Sequence, residues 1–313
     1  MKEYVAQRVV AMVPVLLIVA VFTFSLIHIV PGDPAVILAG DQATPERVAR
    51  LQERMGLNKP LPEQFAIWIT NALQGDLGVS PANNYPVAKQ IRQRLEPTLS
   101  IGVLALVLSI VVAVPLGVLA AWKVNTWVDR ASMIFAVLAF SIPVFWLEYN
   151  MVTLFAVKLE WFPALGYEPL SGGIGPWLEH ITMPAIAVGI ISAALPARVT
   201  RSTMLEILKE DYVRTARAKG LVEQAVLVRH ALRNAMVPIL TMFGLSLAGM
   251  IGGLVISEQV FAIPGVGQLI VSAVSNRDYP LIQATLLLIA VSYVIVNLLI
   301  DLTYLYFDPR IRY

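Results

Sequence analysis

The side chains that could do covalent or metal chemistry in this chain are few and scattered. Its 313 residues include no cysteine. That excludes a disulfide framework, a thiolate metal site and a cysteine nucleophile. The three histidines, at 28, 180 and 230, share no helical turn, so no His-built metal site is expected and no metal ligand is assigned. His28 reads as a packed or interfacial histidine. No Gly-x-Ser-x-Gly and no His-Glu-x-x-His occurs, which removes the hydrolase and zincin signatures. A phosphate-cradling Gly-x-x-x-x-Gly-Lys-[Ser/Thr] is missing too. Gly172-Gly173-Ile174-Gly175 has no lysine, and Gly252-Gly253 lies inside an apolar run. No catalytic residue is assigned.

One ionisable residue stands in the middle of an apolar run: Glu148, with Asn150 two residues on. A charge near a bilayer centre costs about 2.5–3.5 kcal/mol on insertion scales, so Glu148 is expected to face the bundle interior. Two readings stay open there. It contacts a substrate pathway, where an ammonium group could meet it, or it makes a structural hydrogen bond to a neighbour such as Asn150.

The elements that hold these residues follow from composition. The chain is 58% hydrophobic and 14% charged, against about 25% charged in a soluble domain. A soluble enzyme, a disordered chain and an ordinary nucleic-acid binder are excluded, and the net charge of +2 adds little. Apolar runs predict six membrane-spanning helices, at 9–30, 98–122, 131–157, 181–199, 236–257 and 281–300. The fourth is the weakest, because it contains Pro184 and Pro196. The first run has 22 residues, or about 33 Å as a helix, too long for a signal-peptide core, so an uncleaved span is expected. None of the runs alternates as barrel strands do. The fold class is therefore an all-α polytopic membrane protein, with membrane lipid as its surroundings and no nucleic-acid partner.

Charge orients the spans. Fourteen Lys and Arg fall at one side (the amino terminus, 123–130, 198–235 and the tail), against Lys158 and Arg277 in the short segments of the other. This asymmetry predicts both termini in the cytoplasm. The division is then 1–30, amino-terminal segment and first span; 31–97, an external excursion with seven basic and seven acidic residues; and 98–313, the membrane core. Within the excursion, Thr44 is expected to cap a helix starting at Pro45.

The internal loop 199–235 is the most informative stretch. Leu205, Leu208, Tyr212 and Ala216 recur at helical spacing, and Leu221, Ala225, Val228 and Leu232 resume it after Gly220. Two short amphipathic helices with a glycine joint are expected. Such an elbow either lies on anionic headgroups or docks into a partner's groove.

The run Glu210-Asp211-Tyr212-Val213-Arg214-Thr215-Ala216-Arg217-Ala218-Lys219-Gly220, followed by His230-Ala231-Leu232-Arg233-Asn234-Ala235 and Pro238, resembles the loop of binding-protein-dependent ABC importer permeases. It is most similar to their dipeptide/oligopeptide/nickel branch. Val30-Pro31-Gly32-Asp33-Pro34, Gly75-Asp76-Leu77-Gly78-Val79-Ser80, Phe261 through Gly267, Arg277-Asp278-Tyr279-Pro280 and Asp308-Pro309-Arg310-Ile311-Arg312 extend the likeness over nearly the whole chain. The broad family's Glu-Ala-Ala positions hold Arg214, Thr215 and Ala216 here, as the peptide branch usually shows. Glu148-Tyr149-Asn150 departs from relatives that are apolar at that place.

The resemblance implies a type I ABC importer permease-like bundle with a cytoplasmic coupling-helix loop, in the bacterial inner membrane. It implies a second homologous permease subunit, two ATPase subunits that bind ATP and Mg, and an extracytoplasmic binding protein; this chain would hold no cofactor. Short peptides are the implied cargo, with nickel chelates, glutathione, oligosaccharides or another small solute as alternatives. An ion-coupled secondary carrier using Glu148 and Asp301 is the competing class, though no inverted repeat is visible. The coupling residues implied are Glu210, Asp211, Tyr212, Arg214, Thr215, Ala216, Lys219 and Gly220. Gly244, Ala248 and Gly252, spaced by four, form a small-residue face that serves either ordinary packing or a seam near the pathway. Phe261, Pro264 and Gly265 mark a turn that is a structural plug, an outer gate or a dock for the binding protein.

Overall fold

The computed structural model describes residues 2–29, 35–36 and 44–307. The segments 30–34 and 308–313, which carry two of the family-like motifs, lie outside them. The helices are α1 (Lys2–Ile29), α2 (Pro45–Met55), α3 (Leu61–Leu73), α4 (Val87–Trp122), α5 (Trp127–Ser141), α6 (Val144–Met151), α7 (Ile174–Ile207), α8 (Asp211–Ala218), α9 (Arg233–Val260), α10 (Val266–Ser275) and α11 (Tyr279–Phe307). α6 runs on into a π-helical stretch, Val152–Lys158, and a second one, Val226–Leu232, leads into α9.

Among the described residues, five helical stretches are long and apolar enough to cross a membrane: Gln7–Ile29, Val87–Trp122, Ile174–Ile207, Glu223–Val260 and Tyr279–Tyr304. The expected third span is broken instead. α5 and the helix from Val144 to Lys158 meet at a 99° bend and make a sixth span only if counted together. The break falls at Ile142-Pro143, where backbone in extended geometry precedes and includes the proline, as proline demands of its predecessor. The expected weak fourth span is a continuous 34-residue helix through Pro184 and Pro196. Membrane-type helices tolerate proline where neighbouring helices cover the freed carbonyls, and α7 is the most buried helix of its unit.

The chain folds as two compact units. The first comprises residues 1–5, 96–265 and 295–313. Its core joins Ile101 and Ala105 of α4, Met151 of α6, Ile181 and Val188 of α7, and Met250 and Leu254 of α9. Further along the same helices, Ala113, Ala197, Met204, Ala231, Ile239 and Phe243 form another apolar cluster. α4 and α7 cross without room for a side chain at two places. A Cβ on Gly117 would lie 2.5 Å from Thr200 Cβ and 2.7 Å from the Ala197 carbonyl, and one on Gly189 would lie 2.9 Å from the Ala105 carbonyl.

The second unit comprises residues 6–95 and 266–294. The excursion expected over 31–97 thus shares its unit with α1, α10 and the first half of α11. Thr44 caps α2 as predicted, accepting a hydrogen bond from the Arg47 amide at 3.3 Å. Phe24 and His28 of α1 pack with Phe65 and Trp68 of α3 in an aromatic cluster, with ring centroids 5.1–6.1 Å apart. Val87, Ile91, Leu269, Ala273, Leu281 and Ala284 form the apolar core.

Candidate functional site

The loop expected at 199–235 is shorter than its pattern suggests. α7 extends to Ile207, so Leu205 and Leu208 end a spanning helix rather than begin an amphipathic one. After a turn at Lys209-Glu210, the chain forms the eight-residue α8. Asp211 sits in its first turn, where a negative charge suits the helix dipole. Val213 and Ala216 are its buried residues and pack on Val226, Ile207 and Leu208. Tyr212, Arg214, Thr215, Lys219 and Gly220 are exposed, as is Glu210 before them.

Gly220 ends α8 with φ +80°. Its amide bonds to the Arg217 carbonyl at 2.9 Å, and the Leu221 amide reaches the Ala216 carbonyl at 3.4 Å. This is the left-handed helix cap that a residue without Cβ adopts most cheaply. Across the joint, Arg217 makes a fork to Glu223, with contacts of 2.7 and 3.2 Å. That hydrogen-bonded carboxylate raises the guanidinium above its usual pKa. Tyr212 Oη accepts from Asn234 Nδ2 at 2.8 Å and ties α8 to the start of α9.

The stripe expected after Gly220 is not the buried one. Val226, Leu227 and Ala231 are buried, while Leu221 and Val228 are exposed. A π-helix advances fewer degrees per residue than an α-helix, and the Val226–Leu232 stretch turns a different set inward. Tyr212, Leu221, Val222 and Val228 are exposed around the resulting elbow, as are Arg214 and Lys219.

Glu148 and Asn150 are separated by the helix they share. Glu148 is fully buried against α9, where its Oε1 meets Ser257 Oγ. Asn150 is exposed on the other side of α6, and its amide donates to the Trp146 carbonyl at 2.7 Å. Two residues along an α-helix are about 200° apart, so both cannot line one face. Tyr149 and Thr153 join Asn150 on the exposed side.

The stripe Gly244, Ala248 and Gly252 is divided as well. Gly244 is buried, and a Cβ there would stand 3.1 Å from Ile300 of α11. Ala248 and Gly252 are exposed, with nothing within 4 Å of a Cβ on Gly252. Only the outer part of the stripe is free to meet another surface.

The turn 261–265 is fixed from below. Phe261 and Ile263 are buried in the first unit's core, and Pro264 is exposed. The Phe261 carbonyl accepts from the Gly166 amide at 2.8 Å. Glu258, fully buried, accepts from Thr98 Oγ1 at 2.5 Å. A Cβ on Gly265 would collide with the Glu258 carboxylate, which explains why glycine stands there.

Several polar joints have no counterpart among the sequence expectations. Arg201 forks onto Asp129 with contacts of 2.5 and 2.7 Å, tying α7 to α5. The only local hint of it is an Asp three residues into an apolar helix. Tyr167 Oη contacts Ser100 and Glu96, each at 3.2 Å, and Trp177 Nε1 donates to Ser100 at 3.0 Å. Burial pushes the Tyr167 phenol up. In the second unit Ser80 donates to Asp278, whose other oxygen caps α11 by accepting the Leu281 amide at 3.2 Å. The motifs at 75–80 and 277–280 therefore form one joint, 198 residues apart in sequence.

Known proteins share this architecture and much of this sequence. Residues 113–313 match the family described as binding-protein-dependent transport system inner membrane component, and residues 1–102 match its amino-terminal counterpart. The chain is 47% identical over 313 residues to the probable peptide ABC transporter permease protein y4tP of Sinorhizobium fredii, covering all of both. It is 39% identical to the dipeptide transport system permease protein DppB of Alkalihalophilus pseudofirmus and 40% identical to the glutathione transport system permease protein GsiC of Escherichia coli O6:H1, again over the full length of each. A solved inward-facing structure of the MetNI methionine ABC transporter aligns with a TM-score of 0.58 at 15% identity, covering 70% of this chain and 96% of that one. This likeness concerns the fold, an all-α bundle of the type I importer permease kind. On these grounds the chain belongs to the family of binding-protein-dependent transport system inner membrane components.

Proposed function

We propose that this chain is the non-catalytic membrane subunit of an ATP-driven importer and forms part of the path for short peptides. The relatives named for peptide, dipeptide and glutathione transport support that cargo class. In this reading the protein sits in a bacterial inner membrane with both termini in the cytoplasm. A second related permease stands beside it, two ATPase subunits below hold ATP and Mg, and an external binding protein delivers the peptide.

The observation that carries the reading is the elbow around Gly220. A short helix is clamped to the two long helices that flank it through Val213, Ala216 and the Tyr212–Asn234 contact. Arg214, Lys219, Leu221 and Val222 are exposed on it. A stiff, amphipathic projection of this kind can seat in a partner's groove and pass a displacement to α7 and α9. The exposed sides of α6 (Tyr149, Asn150) and α9 (Ala248, Gly252) face the sister permease or the peptide path, and Phe261 with Pro264 and Gly265 closes the outer end.

The test is reconstitution of the whole transporter in sealed vesicles with its binding protein. Peptide uptake should require ATP and persist in the presence of ionophores. Uptake by the purified chain alone, driven by an ion gradient, would overturn the proposal in favour of a secondary carrier. Gly220→Pro removes an amide donor and a positive φ together. It should leave the chain in the membrane while the ATPases no longer copurify; normal copurification speaks against the elbow.

A further inference from the structure

Glu148 has no role in the elbow and shows no face to the exposed side of α6. It is fully buried. Its Oε1 meets Ser257 Oγ on α9, and its Oε2 is buried with no hydrogen-bond partner among the described residues. Ser257 Oγ also lies 3.1 Å from the Gly253 carbonyl, one turn back on its own helix.

A serine hydroxyl carries a single proton. If Glu148 were ionised, Ser257 would give that proton to the carboxylate. Its oxygen would then face the Gly253 carbonyl with no hydrogen between them. The charged Oε2 would be left buried without a donor, an arrangement that is costly for any buried ion. One proton on Glu148 resolves both conflicts. Oε1–H then donates to Ser257 Oγ, Ser257 donates to the Gly253 carbonyl, and Oε2 becomes a neutral carbonyl oxygen.

The charged groups on the packed elements offer no substitute. α7 carries Glu179 and His180 at its exposed start, and Arg198, Arg201 and Glu206 towards its other end, with Arg201 held by Asp129. α9 carries Arg233 at its opposite end and Glu258, which takes the Thr98 hydroxyl. Glu96, at the start of α4's share of this unit, is bonded to Tyr167 and the Leu170 amide. On α6 and its π-helical extension, Tyr149 and Lys158 are exposed.

We infer that Glu148 is a proton-binding site: as a carboxylic acid it heads a relay through Ser257 to the Gly253 carbonyl, and this relay fastens α6 to α9. The test is infrared difference spectroscopy of the full-length protein in lipid nanodiscs at neutral pH. Wild type minus Glu148→Gln should contain a carboxylic-acid C=O stretch. Ser257→Ala removes the acceptor of the acid proton and should shift that stretch. Carboxylate bands in place of the acid band would overturn the inference. Should Glu148→Gln fail to fold, Ser257→Ala decides alone: a shifted acid band supports the relay, and an unchanged acid region overturns it.

Discussion

Asp129 with Arg201 and Asp211 with Arg214 are pairs of the same two residue types, set in different surroundings. The first joins residues far apart in sequence, with the carboxylate 6% and the guanidinium 26% exposed, and Asp129 also accepts the Asn125 amide at 3.0 Å. The second joins neighbours one turn apart at 3.3 Å, with 94% and 71% of the side chains exposed. In water an ion pair competes with solvation and screening, and holding two long side chains together costs entropy. The exposed pair therefore adds little to the fold and leaves its charges available to something else. The buried pair is committed: losing either member strands the other. The elbow and the bundle thus divide the labour between a surface offered outward and a frame that holds it.

The largest predicted effect comes from the frame. Asp129→Asn should destabilise the protein by about 3 kcal/mol, near the low end for breaking a buried pair because Arg201 keeps some solvent contact. Denaturation of the detergent-solubilised chain measures this, and a loss no greater than that of an exposed-site variant would erase the contrast. Two glycines sharpen it further. Gly117→Ala forces a Cβ against the Ala197 carbonyl and should cost about 1–3 kcal/mol. Gly252→Ala meets open space inside a helix and should not lower the melting transition of the isolated chain, since alanine favours the helix over glycine. A shared cost at both positions would mean that α9's outer side is already occupied within the chain. The smallest effect on stability is expected from the exposed pair. Asp211→Lys with Arg214→Glu should melt like wild type, yet weaken ATPase copurification in a salt-dependent way. Melting as low as that of Asp129→Asn would break the comparison.

How much of this is legible in the sequence depends on the range of the interaction. The membrane class, the places of most spans, the Thr44 cap and the glycine joint at 220 follow from local composition and spacing. Pro143 marks the break at Ile142-Pro143, but the apolar run across it hides the bend. The inward face of 221–232 differs from its expected stripe because periodicity assumes an α-helix, and a π-helical stretch changes the angle per residue. Nothing local separates Glu148 from Asn150 beyond their spacing, which alone places them on different sides. The Asp129–Arg201, Thr98–Glu258 and Ser80–Asp278 joints depend on partners 72 to 198 residues away. No window along the chain contains both members.

The Ser80–Asp278 joint bears on how the chain is made. Ribosomes add about 5–20 residues per second, so roughly 10–40 s pass between synthesis of the serine and of the aspartate that accepts its hydrogen bond. Until then the segment that carries Ser80 has no such clasp, and its final docking waits for the last quarter of the message to be read. A nascent chain that stops short of Asp278 would carry every earlier helix and still present a loose end to quality-control proteases.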